Sequence, residues 1–106
     1  MTNLLSQIFK YNSKKLVTFV TGGDPDFKTS NQIIKKIIDN KIDIIEIGMP
    51  FSDPMADGPT IQLSSNRALK NDINLDDIFK LASNAKNENN KIPIILMGYY
   101  NLIMHY

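Results

Sequence analysis

The 106-residue sequence predicts an α/β fold built on parallel strands, and three observations carry that prediction. Three short β-branched runs, Leu16–Val20, Ile42–Ile47 and Ile92–Met97, are too brief for buried helices and nearly continuous in apolar character. Such runs describe strands covered on both faces. Helical patterns separate them, and alternation of this kind favours parallel strands joined by crossovers. No low-complexity or linker-like stretch divides the chain, so residues 1–106 read as part of one domain.

Each element has its own signal. Leu4, Leu5, Ile8 and Phe9 suggest a short amphipathic helix ahead of the first strand. Ile33, Ile34, Ile37 and Ile38 form an apolar stripe that ends near Asn40. A further helix is expected from about Thr60 to Leu69. The last stripe comprises Leu75, Ile78, Phe79, Ala82 and Ala85, with Asn74 placed to cap it. Asp76 and Asp77 suit the positive end of that helix.

Composition excludes several functions. Twelve Lys+Arg against eleven Asp+Glu leave a formal charge of +1, without the basic stripe of a nucleic-acid binder. No apolar run approaches a membrane span, and Met1–Phe9 lacks the charged and apolar regions of a secretory signal. The absence of cysteine removes disulfides and thiolate sites, so a cytoplasmic protein is expected. The abundance of Ile, Asn and Lys beside a single arginine reflects coding bias, and the asparagines between Asn84 and Asn90 suit a solvated helix end.

The segment from Ile42 to Asn66 holds Asp43, Glu46, Asp53 and Asp57 but no lysine or arginine. Glu46 lies late in the second strand, and alternation places it on one face with Ile44 and Gly48. A carboxyl in apolar surroundings can hold and return a proton near neutrality. The ordinary alternative is a glutamate paired with a distant cation or turned outward at an edge. After the strand, three prolines, two glycines and two aspartates between Gly48 and Pro59 define a long, shaped loop. Asp57 has a competing role as the cap of the following helix, and Asp53-Pro54 as a turn initiator. Thr21-Gly22-Gly23-Asp24-Pro25-Asp26 lacks the lysine and spacing of a phosphate cradle and reads as a plain turn. His105, the one histidine, has no partners in sequence for a metal site. Tyr99-Tyr100-Asn101 follows the third strand and can line the same mouth as Glu46.

Length limits the architecture. At roughly 30 residues per strand-helix unit, the chain holds about three units, whereas a closed (β/α)8 barrel needs about 250 residues. An open three-stranded parallel sheet would leave two unpaired edges, so the first part of a barrel is the more comfortable reading.

The run EIGMPFSDPMADGPTIQ, preceded by FVTGGDPD and followed by PIILMGYYN, resembles the tryptophan synthase α-chain family across essentially the whole sequence. The resemblance implies a (β/α)8 TIM barrel, of which this chain holds about the first three β/α units. It implies retro-aldol cleavage of indole-3-glycerol phosphate to indole and glyceraldehyde 3-phosphate, the lyase half of the last step of tryptophan biosynthesis. Glu46 and Asp57 match the family's catalytic positions, and Phe19 and Tyr99 its substrate-pocket walls. No metal and no cofactor are implied for this chain; pyridoxal phosphate belongs to the β chain, the implied partner in an α2β2 tetramer. The Phe51–Gly58 loop falls on the side implied to meet that partner. The phosphate-holding turns and the lid of the family's later strands have no counterpart within these residues, so the 106-residue piece alone is expected to be inactive. The competing possibilities are a different phosphosugar-handling barrel and a non-catalytic chain that only docks to a β-type partner.

Overall fold

The fold is described from a computed structural model that covers residues 4–52 and 57–99. In chain order the elements are α1 (Leu4–Ile8), β1 (Val17–Thr21), α2 (Phe27–Ile38), β2 (Ile44–Gly48), α3 (Pro59–Lys70), α4 (Leu75–Glu88) and β3 (Ile94–Met97). The strands form one parallel sheet in the order β1-β2-β3. No helix among the described residues is long and apolar enough to cross a membrane.

Strand boundaries differ slightly from the apolar runs, for local reasons. Ile42 is buried before β2 begins, and the Asp43 carboxylate accepts a 2.7 Å hydrogen bond from the Leu16 backbone N–H. Asp43 therefore joins the start of β2 to the start of β1 and is explained without chemistry. At β3, Pro93 precedes the strand and contributes only its carbonyl, which accepts from the Ile45 N–H at 3.2 Å.

Two of the three long inter-strand helices, α2 and α4, start on side-chain caps. Asp26 caps α2, accepting from the Thr29 N–H at 2.8 Å. That bond, with a second from the Thr29 hydroxyl, holds the Asp26 carboxyl below its ordinary value. Asn74 caps α4 in a reciprocal capping box with Asp77, as the sequence led one to expect for its first half. The turn between β1 and α2 is a turn, as expected; Gly23 adopts a φ of +84° there, a conformation that favours glycine.

The core lies between the sheet and helices α2 and α4. Ile45 and Ile47 of β2 are fully excluded from solvent, and they meet Ile34 and Ile38 of α2 and Ile78, Leu81 and Ala85 of α4. Each large aliphatic side chain buried this way contributes about 1.5–3 kcal/mol. The stripes are narrower than their apolar residues suggested. Ile33 is 40% exposed beside Ile34 at 1%, and Phe79 is 38% exposed beside Ile78 at 0%. Successive residues on a helix are about 100° apart, so the neighbour of a deeply buried position is carried to the rim.

The other sheet face corrects a second expectation. Continuous apolar strands predict burial on both sides, yet Val17, Phe19 and Met97 are exposed on this face. Among the described residues, β1 and β3 each pair with one neighbour, and the core formed with α2 and α4 lies on the opposite face. The functional candidates stand on the exposed side.

Candidate active site

Strand register determines which side chains share this face. Phe19, Glu46 and Ile95 stand opposite one another across the sheet, and one pleat further toward the strand ends stand Thr21, Gly48 and Met97. Alternation sends both rows to the side away from the helical core. Beyond the second row lies a cavity of about 220 Å³, bordered by Thr21, Gly48 and Met97 at the strand ends and by Phe19, Asp57 and Tyr99. The cavity thus sits at the C-terminal ends of parallel strands, where α/β folds place ligands.

Helix α3 is brought over this end by bonds between distant parts of the chain. The Thr21 and Ser64 hydroxyls lie 2.7 Å apart, and Arg67 grips Asp24 through two bonds of 2.8 and 2.9 Å. Asn71 adds a bond from its side-chain amide to the Pro25 carbonyl at 2.6 Å. Arg67 and Asp24 form an ion pair, so the chain's one arginine is engaged there.

Glu46 is half-buried between Phe19 and Ile95. It makes no hydrogen bond or ion pair among the described residues. It does not line the cavity; it lies on the same face one pleat below the cavity's rim. Among the described residues, no cation is paired with it.

Asp57 does line the cavity, and the helix-cap role expected as its competitor falls elsewhere. The N-cap of α3 is Gly58, without a side-chain cap bond, and Pro59 occupies the first turn. Among the described residues, Asp57 is engaged through its backbone carbonyl, which accepts from the Gln62 side-chain amide at 2.8 Å. One residue of displacement separates a capping carboxylate from one directed at the cavity, and local sequence does not resolve that difference.

Phe19 and Tyr99, the expected walls, both border the cavity, and the Tyr99 ring stacks on Phe51 at a centroid distance of 5.2 Å. Phe51 thereby links the loop after β2 to the segment after β3. Asp53, Pro54, Tyr100, Asn101 and His105 lie outside the described residues. Thr21, Gly48, Ile61 and Ser65 also line the cavity and were not anticipated. Thr21 and Gly48 were within reach of strand alternation, two residues beyond Phe19 and Glu46. Ile61 and Ser65 depend on where α3 docks, which no local pattern reveals. Among the described residues no group of three or more His, Cys, Asp or Glu side chains is arranged to hold a metal ion.

Comparison with known proteins gives the family and the fold. The family model described as tryptophan synthase alpha chain matches residues 5–106. A tryptophan synthase alpha chain from Petrotoga mobilis is 49% identical over 96% of this chain and 39% of its own length. Among solved structures, tryptophan synthase subunit alpha from Legionella pneumophila superposes with a TM-score of 0.88 at 35% identity, covering 97% of this chain and 39% of that one. A chain from the Pyrococcus furiosus tryptophan synthase a2b2 complex gives a TM-score of 0.78 at 41% identity, over 86% of this chain and 36% of that one. The three-stranded sheet accordingly belongs to the (β/α)8 barrel fold, and the chain spans about two-fifths of the length of the bacterial relatives it matches. With the matched residues running through nearly the whole sequence, the chain belongs to the tryptophan synthase alpha chain family.

Proposed function

We propose that the protein containing this chain is a carbon–carbon lyase that cleaves indole-3-glycerol phosphate to indole and glyceraldehyde 3-phosphate. The supporting observation is a pair of carboxylates at the C-terminal end of the sheet, Asp57 bordering the cavity from the segment before α3 and Glu46 on β2 one pleat below it, with no ion-pair partner among the described residues.

The chemistry explains the need for two acids. The bond that breaks joins indole C3 to the carbinol carbon of the side chain. Protonation at C3 removes the aromaticity of the five-membered ring and places positive charge on the ring nitrogen. The carbinol O–H then gives up its proton, its oxygen forms a carbonyl, and the pair from the broken C–C bond restores the indole ring. One proton enters at C3 and one leaves the hydroxyl, so the reaction is redox-neutral. Glu46 is assigned the proton transfer, which requires hydrogen-bond reach to the reacting centre. Asp57, as a carboxylate near the ring N–H, is assigned stabilisation of the developing cation. Phe19 and Tyr99 are assigned the faces of the aromatic ring.

We assign no cofactor to this chain, since proton transfer and charge stabilisation suffice for the step. A β-chain partner carrying pyridoxal phosphate is proposed, and the Pyrococcus furiosus relative is described as part of an a2b2 complex. The loop at Phe51–Gly58 is the proposed contact, and the cytoplasm the proposed compartment.

The test uses the intact protein with indole-3-glycerol phosphate. Equimolar indole and glyceraldehyde 3-phosphate are expected, and Asp57→Ala should lower kcat/KM by about 10²–10³. An intact protein that releases no indole would overturn the lyase reading. Near-normal turnover in Asp57→Ala would remove Asp57 from the chemistry.

A further inference from the structure

Counting hydrogens assigns a polarity to Thr21. The Ser64 hydroxyl lies 2.8 Å from the Ile61 carbonyl and 2.7 Å from the Thr21 hydroxyl. A carbonyl oxygen only accepts, so when both contacts are made as hydrogen bonds the one proton on Ser64 goes to Ile61. The remaining contact then has a single solution, in which Thr21 donates its own proton to Ser64. Thr21, Ser64 and Ile61 form a directed relay, and the Thr21 oxygen is left with lone pairs alone. Thr21 is 8% exposed and borders the cavity, so any polar contact it makes there is made as an acceptor.

We infer that Thr21 is a specificity-determining residue that selects a ligand presenting a hydroxyl donor beside the end of β1. This rests on the proposed lyase reading for the identity of that ligand: the donor is a hydroxyl of the substrate's glycerol phosphate arm. The relay is a design in three parts. A lone threonine would rotate to donate or accept, and it would discriminate weakly between a hydroxyl and a group without a proton. Ser64, fixed by its own helix, removes that freedom. The same side chains tie α3 to β1, so the contact that positions the helix also sets the polarity of the cavity wall.

The experiment compares two ligands on the intact protein: indole-3-glycerol phosphate and its analogue lacking both side-chain hydroxyls. Thr21→Val, nearly equal in volume, should weaken the hydroxyl-bearing ligand by about 5- to 10-fold, the worth of one such bond. The dideoxy analogue should bind Thr21→Val and the parent protein within about twofold of each other. Thr21→Ser should restore the parent's preference between the two ligands. Equal weakening of both ligands would mean that Thr21 only holds the fold, and an unchanged preference in Thr21→Val would overturn the inference. A second measurement needs no ligand. Solution NMR of the unliganded protein should find the Thr21 hydroxyl proton protected from exchange and close to the Ser64 β-hydrogens, with protection lost in Ser64→Ala. A protected Ser64 proton directed at Thr21 would reverse the relay and overturn the assignment. Should the parent protein bind neither ligand, the lyase reading falls while the NMR result still decides the polarity.

Discussion

Replacing Gly48 by alanine tests how closely the cavity floor is built. Gly48 occupies the strand-end row on the Glu46 face, and a β-carbon there would lie 2.7 Å from Phe19 Cζ and 3.0 Å from Cε2. Ordinary contact begins near 3.4 Å, so the ring must retreat by about 0.7 Å. Phe19 is 38% exposed and borders the cavity, which gives the ring room to move at the expense of the site. The fold should therefore lose only about 1 kcal/mol, the low end for overpacking. Displacements near 1 Å in a catalytic site cost about 100-fold. For 0.7 Å of retreat, a loss of about 10- to 100-fold in kcat/KM is expected, equivalent to about 1.4–2.7 kcal/mol. The assay is steady-state indole release by the intact protein, with thermal melting as the control. Gly58→Ala serves as the contrast for stability, since no atom lies within 4 Å of the added carbon. Turnover by Gly48→Ala within twofold of the parent would refute the reasoning. So would a collapse of the fold, because Phe19 would then be held rigidly.

Three further outcomes concern stability. Leu81 is fully buried between α4 and the sheet, and Leu81→Ala should cost about 2–5 kcal/mol in denaturant unfolding; a change below 1 kcal/mol would contradict the packing described. Asn74→Ala removes the side-chain half of the α4 capping box and should cost about 1 kcal/mol, with Asn74→Ser recovering most of it. The Asp26 carboxyl is held low in the folded state by Thr29, so its contribution is present above its unfolded pKa and fades as pH falls through the folded one. The stability difference between the parent and Asp26→Asn should therefore shrink between about pH 5 and pH 2, and a constant difference would show that the carboxylate bond is not formed.

The extent to which this architecture is legible in sequence differs by interaction range. Strand and helix positions follow from short periodicities, and Asn74 announces its helix because a cap is a local bargain between a side chain and the next turn. Glu46 and Phe19 share a face because alternation is a local rule, which also reaches Thr21 and Gly48 if carried two residues further. What is not legible depends on contacts between distant positions. Asp24 and Arg67 are 43 residues apart, as are Thr21 and Ser64, and these bonds bring α3 across the strand ends. The position of Ser65 at the cavity follows from that docking. The capping role expected for Asp57 misses by one residue, because Gly58 is the N-cap of α3. Exposure of Val17, Phe19 and Met97 was hidden for another reason: apolar strands look alike whether or not something covers their second face.

Glu46 provides the most direct test, through single-turnover release of indole from indole-3-glycerol phosphate by the intact Glu46→Gln protein. The substitution keeps the shape of the side chain between Phe19 and Ile95 and removes its capacity to exchange a proton. Substrate should still bind, and the release rate should fall by about 10²–10⁴. A rate equal to that of the parent protein would contradict the assignment of proton transfer to this side chain.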